Sequence, residues 1–230
     1  MNGTTHMIIG GLTGGLVLAH SVSNGWQFSF NFADYEIYPL IVTCAATIGG
    51  LAPDVDMAGS KAGRFLRRLI RSCLIISAIF LVAMYFLTPT GIEIFDGAIG
   101  MGARIDHGVT LILAAFCIFV LIVAETSKHR GFTHTLVGLA VAASPLAFML
   151  ITGTMFVGAD IAVSAQIGFL LGWLSHMVID SFNYPGTPWL WPLVKKHYKV
   201  MRIGSGTEGE ITFLMVSIVL FAACYAVIMI

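Results

Sequence analysis

Charged residues are scarce in this chain, and their scarcity excludes the ordinary soluble classes of protein. Of its 230 residues, 10% are charged and 57% are hydrophobic, whereas soluble domains have about 25% charged residues. The four cysteines lie in separate apolar stretches without Cys-x-x-Cys spacing, so we expect no disulfide bonds. No basic residue precedes the first apolar run and no Ala-x-Ala pattern follows it, so we expect no cleaved signal peptide.

Long apolar runs, in contrast, are abundant. A membrane-spanning helix needs about 20 mostly apolar residues, and the sequence has seven candidates, near 6–22, 37–52, 72–88, 109–124, 135–157, 161–180 and 211–230. We therefore predict an all-α, polytopic transmembrane helix bundle of about seven membrane segments, which forms a single domain over residues 1–230. The first two segments are rich in glycine, which suits either closely packed helices or re-entrant segments that do not cross. Both alternatives stay open.

The basic residues fall on alternate connections between these segments. If the seven helices alternate across the membrane, eleven of the twelve lysines and arginines lie on the same side as the N-terminus. Only Arg104 lies on the other side, where the connections are acidic instead. The positive-inside rule then predicts a cytoplasmic N-terminus.

The same orientation collects histidines and aspartates at the cytoplasmic side. His176 and Asp180 are four residues apart at the end of an apolar segment, so both lie on one helical face and can share a metal ion. Asp54 and Asp56 directly follow the second segment, and in an extended stretch their carboxylates would point the same way. Each pair has an alternative: a plain His–Asp hydrogen bond for the first, and helix capping or the balancing of nearby arginines for the second.

Two further histidines, His129 and His134, flank Arg130 just before an apolar helix that Thr133 could cap. Imidazoles suit metal ions, and the guanidinium of Arg130 suits the oxygens of a phosphate. The alternative is an ordinary basic loop, which explains Arg130 but not both histidines. His6 is alone on a Gly-rich segment and carries little information by itself.

Ser60 and Arg64 lie close in sequence to the two aspartates and are candidates for contact with a substrate. Arg64 also begins a series of arginines at roughly helical spacing, which ends at Arg71. Such a series most simply forms a surface that faces solvent and lipid headgroups. Both interpretations of Arg64 stay open.

Taken together, these motifs resemble the YdjM-like family of bacterial inner-membrane proteins, to which a metal-dependent hydrolase activity and, in some members, LexA regulation within the SOS response are ascribed. The resemblance covers most of the chain. It rests on His6, Pro53-Asp54-x-Asp56, Ser60-x-x-Gly63-Arg64, His129-Arg130-Gly131-x-Thr133-His134, His176-x-x-x-Asp180 and the turn from Pro185 to Pro192. It implies a multi-pass protein of the inner membrane.

Two details of the resemblance bear on the site. Gly204-Ser205-x-x-Glu208 is similar to some members and implies a further cytoplasmic carboxylate at Glu208. Met57 stands where relatives often have a histidine, so the number of metal ions is open. More distantly, the order of the ligands resembles that of zinc-dependent phospholipase C and the P1-type nucleases, which implies a zinc cluster and phosphodiester cleavage.

We therefore predict a membrane-bound hydrolase that binds one to three divalent ions, zinc foremost and manganese or magnesium as alternatives. The predicted metal ligands are His6, Asp54, Asp56, His129, His134, His176 and Asp180. The predicted catalytic residues are Asp56, His129, Arg130 and Glu208, and the predicted substrate contacts are Ser60, Arg64 and Arg130.

We expect the substrate to be a phosphoester at the cytoplasmic face, and a lipid is favoured over nucleic acid because the ligands lie at bilayer depth. Membrane lipids are the expected partners, and the oligomeric state is open. Two rival functions are a metal-ion or proton transporter and a non-catalytic membrane scaffold with a structural metal. A coordination position left open by the protein would favour the enzyme, whereas full coordination by protein alone would favour the scaffold.

Overall fold

The computed structural model describes residues 2–23, 29–32, 34–56, 131–152, 159–184 and 186–229, together with six helical positions between 64 and 79. These residues form the helices α1 (Gly3–Ser23), α2 (Pro39–Gly49), α3 (Leu136–Thr152), α4 (Ala159–Asp180) and α5 (Glu208–Ile228). Two antiparallel strands, β1 (Phe30–Phe32) and β2 (Tyr35–Ile37), lie between α1 and α2. Short 3₁₀ helices, Ala52–Asp56 and Phe132–His134, follow α2 and precede α3. The predicted helical class is confirmed, with this small hairpin as an addition.

Three of the described helices, α1, α4 and α5, are long and apolar enough to cross a membrane. The most apolar window of α5 has a mean hydropathy of 2.6, and none of that window is buried inside the protein. An apolar helix with an exposed surface is expected where the surroundings are lipid. These helices correspond to the first, sixth and seventh predicted segments, and they support a helical membrane protein.

The second segment is shorter than a typical spanning helix. Its α-helical part, α2, has 11 residues, and with the 3₁₀ helix that follows, the apolar helix runs from Pro39 to Asp54, whereas a spanning helix needs about 20 residues. The first segment, in contrast, is a helix of 21 residues. The segment near 109–124 lies outside the described residues, and that near 72–88 is described at three positions only. Seven spanning helices are therefore not supported by the part of the chain that the structure describes.

Local sequence accounts for where two helices begin. Pro39 occupies the first turn of α2, where its missing N–H leaves no helical hydrogen bond unmade. Thr135 caps α3, because its Oγ1 accepts a hydrogen bond from the backbone N–H of Gly138 at 3.0 Å. Thr133, which was predicted for this role, lies 3.0 Å from the ring of His134 instead. The cap is therefore two residues later than the sequence suggested.

Glycines allow α2 to pack between α1 and α4. A side chain at Gly10 or Gly14 of α1 would collide with α2 at Ala46, and one at Gly168 or Gly172 of α4 would collide with the α2 backbone. Both helices thus carry the Gly-x-x-x-Gly spacing that lets membrane helices approach closely. Close packing, one of the two alternatives for the Gly-rich segments, is confirmed, and it brings the ends of three helices together.

The helices place charges of opposite sign at the two ends of the bundle. Asp160 and Asp180 lie 20 residues apart on α4, a rise of about 30 Å, which equals the usual hydrocarbon thickness. At the first end, the backbone N–H of Glu36 donates to Asp160 Oδ1 at 2.9 Å. At the other end, the connection between α4 and α5 carries Lys195, Lys196, Lys199 and Arg202. The acidic and basic ends agree with the charge asymmetry expected from the sequence.

Candidate metal centre

Five buried polar side chains meet at the end of the bundle where α4 stops. They are His6, Asp54, His134, His176 and Asp180, with 1%, 5%, 0%, 0% and 2% of their surface exposed. They come from the first turns of α1, the 3₁₀ helix after α2, the 3₁₀ helix before α3 and the last turns of α4. Ionisable groups rarely lose this much contact with water unless they bind one another or a metal.

Three donor atoms of this cluster, on His134, His176 and Asp180, have separations close to those of ligands in a tetrahedral zinc site. Nε2 of His134 lies 3.2 Å from Nε2 of His176 and 3.4 Å from Asp180 Oδ2. Nε2 of His176 lies 3.7 Å from Asp180 Oδ2. Asp54 Oδ1 lies 3.8 Å from Nε2 of His134 and 3.7 Å from Nε2 of His176. Zinc binds nitrogen and oxygen at about 2.0–2.2 Å, so tetrahedral ligands lie about 3.3–3.6 Å from one another. An ion held by His134, His176 and Asp180 would therefore require adjustments of only a few tenths of an ångström among these three donors.

Hydrogen bonds on the far side of each ring turn these imidazoles toward the centre. Nδ1 of His176 lies 2.7 Å from the carbonyl oxygen of Gly50, which can only accept, so Nδ1 carries the proton and Nε2 presents its lone pair. Nδ1 of His134 can likewise donate to Thr133 Oγ1 at 3.0 Å, and Trp173 holds the carbonyl of Thr133. Two facing lone pairs repel unless a cation or a shared proton lies between them. This orientation is typical of histidines that bind metal.

His6 extends the cluster to the other oxygen of Asp180. Its ring stacks on His176 with centroids 3.7 Å apart, and its Nε2 lies 3.2 Å from Asp180 Oδ1. The two carboxylate oxygens of Asp180 thus face different histidines. Oδ1 faces His6, and Oδ2 faces His134 and His176. Because each of its oxygens faces a different histidine, the carboxylate of Asp180 would be able to bridge two ions.

Two buried polar atoms of the centre lack a hydrogen-bond partner among the described residues. They are Nδ1 of His6 and Oδ1 of Asn183, and the side chain of Asn183 also donates to Asp180 Oδ1 at 2.9 Å. A buried polar atom without a partner costs about 1–3 kcal/mol, and a metal ion or its bound water would remove that cost. Together with the imidazole and carboxylate donors, these atoms fit a divalent transition metal such as zinc or manganese.

The remaining predicted site residues have different outcomes. Asp56 ends a 3₁₀ helix that includes Asp54, so the prediction of an extended stretch at these two residues is wrong. Its side chain, and the whole of Ser60, His129 and Arg130, lie outside the described residues. Arg64 and Glu208 have exposed side chains, and Glu208 is thus not part of the buried centre. Metal ligation by the other five residues stays a prediction.

The sequence reasoning missed Glu210, which is 2% exposed. Its Oε1 accepts hydrogen bonds from Thr5 Oγ1 at 2.7 Å and from the backbone N–H of Asn2 at 2.6 Å. Its Oε2 accepts from the backbone N–H of Gly206 at 2.5 Å. The carboxylate therefore ties the start of α5 to the start of α1, next to His6. The available signal was its position in the first turn of α5, directly before a long apolar run.

Replacing Glu210 by glutamine should weaken zinc binding about tenfold. Substitution of residues that hold metal ligands in place typically lowers metal affinity about 10–100-fold, and we expect the lower end of this range. The amide keeps the size of the side chain but exchanges one acceptor oxygen for a donor, so the start of α1 loses part of its anchor. Competition with a chromophoric chelator in detergent measures the dissociation constant. Glu208→Gln is the matched control on the exposed side of the same turn, and equal affinities in the two variants would remove Glu210 from the centre.

The chain was compared with known proteins. Residues 1–230 match the family of the YdjM inner membrane protein. Curated relatives include the Inner membrane protein YdjM of Escherichia coli (strain K12) and that of Shigella flexneri, each 42% identical over 71 residues. The matched stretch is 30% of this chain and 33% of each relative, and no solved structure matches the chain. Because the family match covers its whole length, the chain belongs to the YdjM inner membrane protein family.

Proposed function

We propose that this chain is a membrane-bound, metal-dependent hydrolase that cleaves a phosphoester, with a lipid-linked substrate foremost, at the cytoplasmic face of the inner membrane. The observation that carries the proposal is the divided carboxylate of Asp180, with Oδ2 3.4 Å from His134 and Oδ1 3.2 Å from His6. Two-ion hydrolytic sites use such shared carboxylates, with the ions about 3.5–4 Å apart.

Each residue then has a defined part in the site. His134 and His176 would hold one ion through Nε2, and His6 would hold a second from the other side of Asp180. Asp54 adds a carboxylate oxygen that lies within 3.8 Å of Nε2 of both His134 and His176. A bound divalent ion supplies the chemistry by lowering the pKa of a coordinated water toward neutrality. Because five protein donors are too few to saturate two ions, positions are left for water and substrate.

The residues that precede the described part of the site complete the proposal. His129 and Arg130 come directly before Gly131, where the 3₁₀ helix of His134 begins. The chain therefore keeps both within a few residues of an imidazole of the centre. His129 is proposed as a ligand or general base, together with Asp56, and Arg130 is proposed to bind the phosphate oxygens in a bidentate manner.

The depth of the centre favours a lipid substrate. Asp180 ends α4 about 30 Å from Asp160, so the centre lies near the level of the headgroups when α4 spans the membrane. A phospholipid or another lipid-linked phosphoester presents its phosphate at that level, whereas nucleic acid would have to enter the interface. Ser60 and Arg64 are proposed as further contacts with the substrate headgroup.

The proposed orientation places the centre in the cytoplasm. The described basic residues of the connection between α4 and α5 lie on the same side as the centre, and the positive-inside rule assigns that side to the cytoplasm. A reporter fused after Ile230 should therefore be periplasmic, and one inserted between 195 and 202 should be cytoplasmic. Paired alkaline phosphatase and fluorescent-protein fusions measure this. Both fusions in one compartment, or the reverse assignment, would contradict the orientation.

Hydrolysis by the purified protein tests the activity itself. Detergent-solubilised protein should release product from a phosphodiester or phosphomonoester, EDTA should abolish release, and added Zn²⁺ or Mn²⁺ should restore it. Lipid and soluble substrates are compared in one assay, and faster cleavage of lipid is expected. His176→Ala provides the matched inactive preparation. Product release that persists in this variant would come from a contaminating enzyme, and metal-replete protein that cleaves neither class of substrate would contradict the proposal.

A scaffold with a structural metal is the second candidate. It is favoured by the three mutually close donors of His134, His176 and Asp180 and by Asp54 beside both imidazoles, since structural zinc sites are closed by protein alone. One zinc ion per chain without exchangeable bound water would support it. A transporter has less support, because the buried positions of α4 between Ser164 and His176 are Gly168, Gly172 and Trp173. These residues provide no ionisable path along the described helix.

A further inference from the structure

A cavity lies on the face of α4 opposite the metal centre. It has a volume of about 630 Å³ and is bordered by Val178 of α4, by Phe182 just after the end of α4 and by Trp189. Val178 is two residues after His176, about 200° around the helix, and it is 44% exposed where His176 is fully buried. The helix itself therefore separates this cavity from the buried histidines and aspartates.

The polar border of the cavity is basic. Lys196, His197 and Lys199 line it from the connection between α4 and α5. Aromatic rings position both lysines, with Lys196 Nζ 5.6 Å from the ring centre of Tyr198 and Lys199 Nζ 5.5 Å from that of Tyr184. Lysine ammonium groups are common ligands of phosphate, and a cavity of this size is within the range of small-molecule sites.

Backbone hydrogen bonds fix the basic segment to the end of α4. The N–H and C=O of Tyr198 pair with those of Thr187 at 2.9 and 3.0 Å, and the N–H of Val200 donates to the carbonyl of Ser181 at 2.7 Å. The indole N–H of Trp189 donates to Ser181 Oγ at 2.8 Å. The lysines and the tryptophan are thus held on a paired backbone, so the cavity is a formed feature of the fold.

The apolar border continues along the membrane-spanning part of α4. Leu174 lies one turn before Val178 on the same helical face and is 38% exposed. In a membrane protein, exposed aliphatic residues on a spanning helix contact acyl chains. A basic cavity therefore lies at the headgroup end of a surface that suits a hydrocarbon chain.

We infer that this cavity binds an anionic phospholipid, with the phosphate at Lys196 and Lys199 and an acyl chain against Leu174, Val178 and Phe182. A zwitterionic lipid carries its own cation, which the two lysines repel. A free phosphate lacks the chain that the apolar border contacts. The inference is independent of the proposed hydrolysis, because it involves no residue of the metal centre.

Native mass spectrometry of the full chain, titrated with dioleoylphosphatidylglycerol or dioleoylphosphatidylcholine, tests the inference. The phosphatidylglycerol complex should form at lower concentration, and the double substitution Lys196→Gln with Lys199→Gln should weaken it about thirtyfold, since each lysine near an anionic headgroup contributes about fivefold. Lys195→Gln with Arg68→Gln is the matched control, because it removes the same charge from two exposed residues that do not line the cavity. Its affinity should change by less than threefold.

Val178→Trp provides a second route that leaves every charge in place. The indole occupies the cavity from the exposed face of α4, so lipid binding should fall while zinc content stays equal to that of the unmodified protein. Three outcomes would overturn the inference: equal loss in the two double variants, equal binding of the two lipids, or displacement of phosphatidylglycerol by glycerol phosphate at similar concentration. The last would identify a site for free phosphate esters.

Discussion

Replacing His176 by alanine should lower the affinity of the protein for zinc by more than about a hundredfold, since even residues that only orient a ligand contribute about 10–100-fold. Its Nε2 lies 3.2 Å from His134 and 3.7 Å from both Asp54 and Asp180. The substitution therefore removes the donor that the other three share. Protein purified without chelator should lose most of its divalent metal, which inductively coupled plasma mass spectrometry measures.

Loss of metal must be separated from loss of fold. The alanine variant also removes a buried ring that stacks on His6, and such cavities cost about 2–5 kcal/mol. Asp180→Asn retains the volume of its side chain and should lose metal as well, while circular dichroism shows unchanged helix content. His20→Ala is the control at the exposed far end of α1 and should keep its metal. Normal metal content in both site variants would show that these residues bind one another only.

The convergence of the site followed from hydropathy and from the alternation of helices. His6 begins one helix, His176 and Asp180 end another, and the connecting geometry brings helix starts and ends of antiparallel neighbours to one level. This reasoning needed no distance between side chains. It was enough to assign each polar residue to an end of an apolar segment, and five of the seven predicted ligands lie in the described cluster.

Other features could not be obtained in this way. The segment from Ala52 to Asp56 has too few residues for its pattern to distinguish an extended stretch from a 3₁₀ helix. Either conformation can contain two aspartates at positions 54 and 56. Burial of Glu210 and exposure of Glu208 depend on the rotation of α5 against α1, which hydropathy does not reveal on a helix that is apolar all round. Tertiary packing decided each of these points.

Replacing Arg130 by alanine should separate metal binding from turnover. The proposed role of Arg130 is to bind phosphate oxygens, and no metal is bound by a guanidinium that stays protonated. The variant should therefore keep its zinc and lose about 2–4 kcal/mol of transition-state stabilisation, as expected for one electrostatic donor at a site of developing charge. This corresponds to a fall in kcat/KM of roughly 30-fold to 1,000-fold, measured with a phosphodiester substrate at saturating metal.

The choice of control decides how specific this result is. Arg202→Ala removes an equal charge from an exposed residue of the basic end. If Arg130 acted only through general attraction of an anionic substrate, both variants would lose activity alike, and the loss would be larger at low ionic strength. A contact with the reacting phosphate should affect Arg130→Ala alone and should be nearly independent of salt. Arg130→Lys restores the charge but not the bidentate geometry, so only partial recovery is expected. If Arg130→Ala instead lost its metal, Arg130 would support the fold of the segment before His134, and the phosphate contact would have to come from another residue.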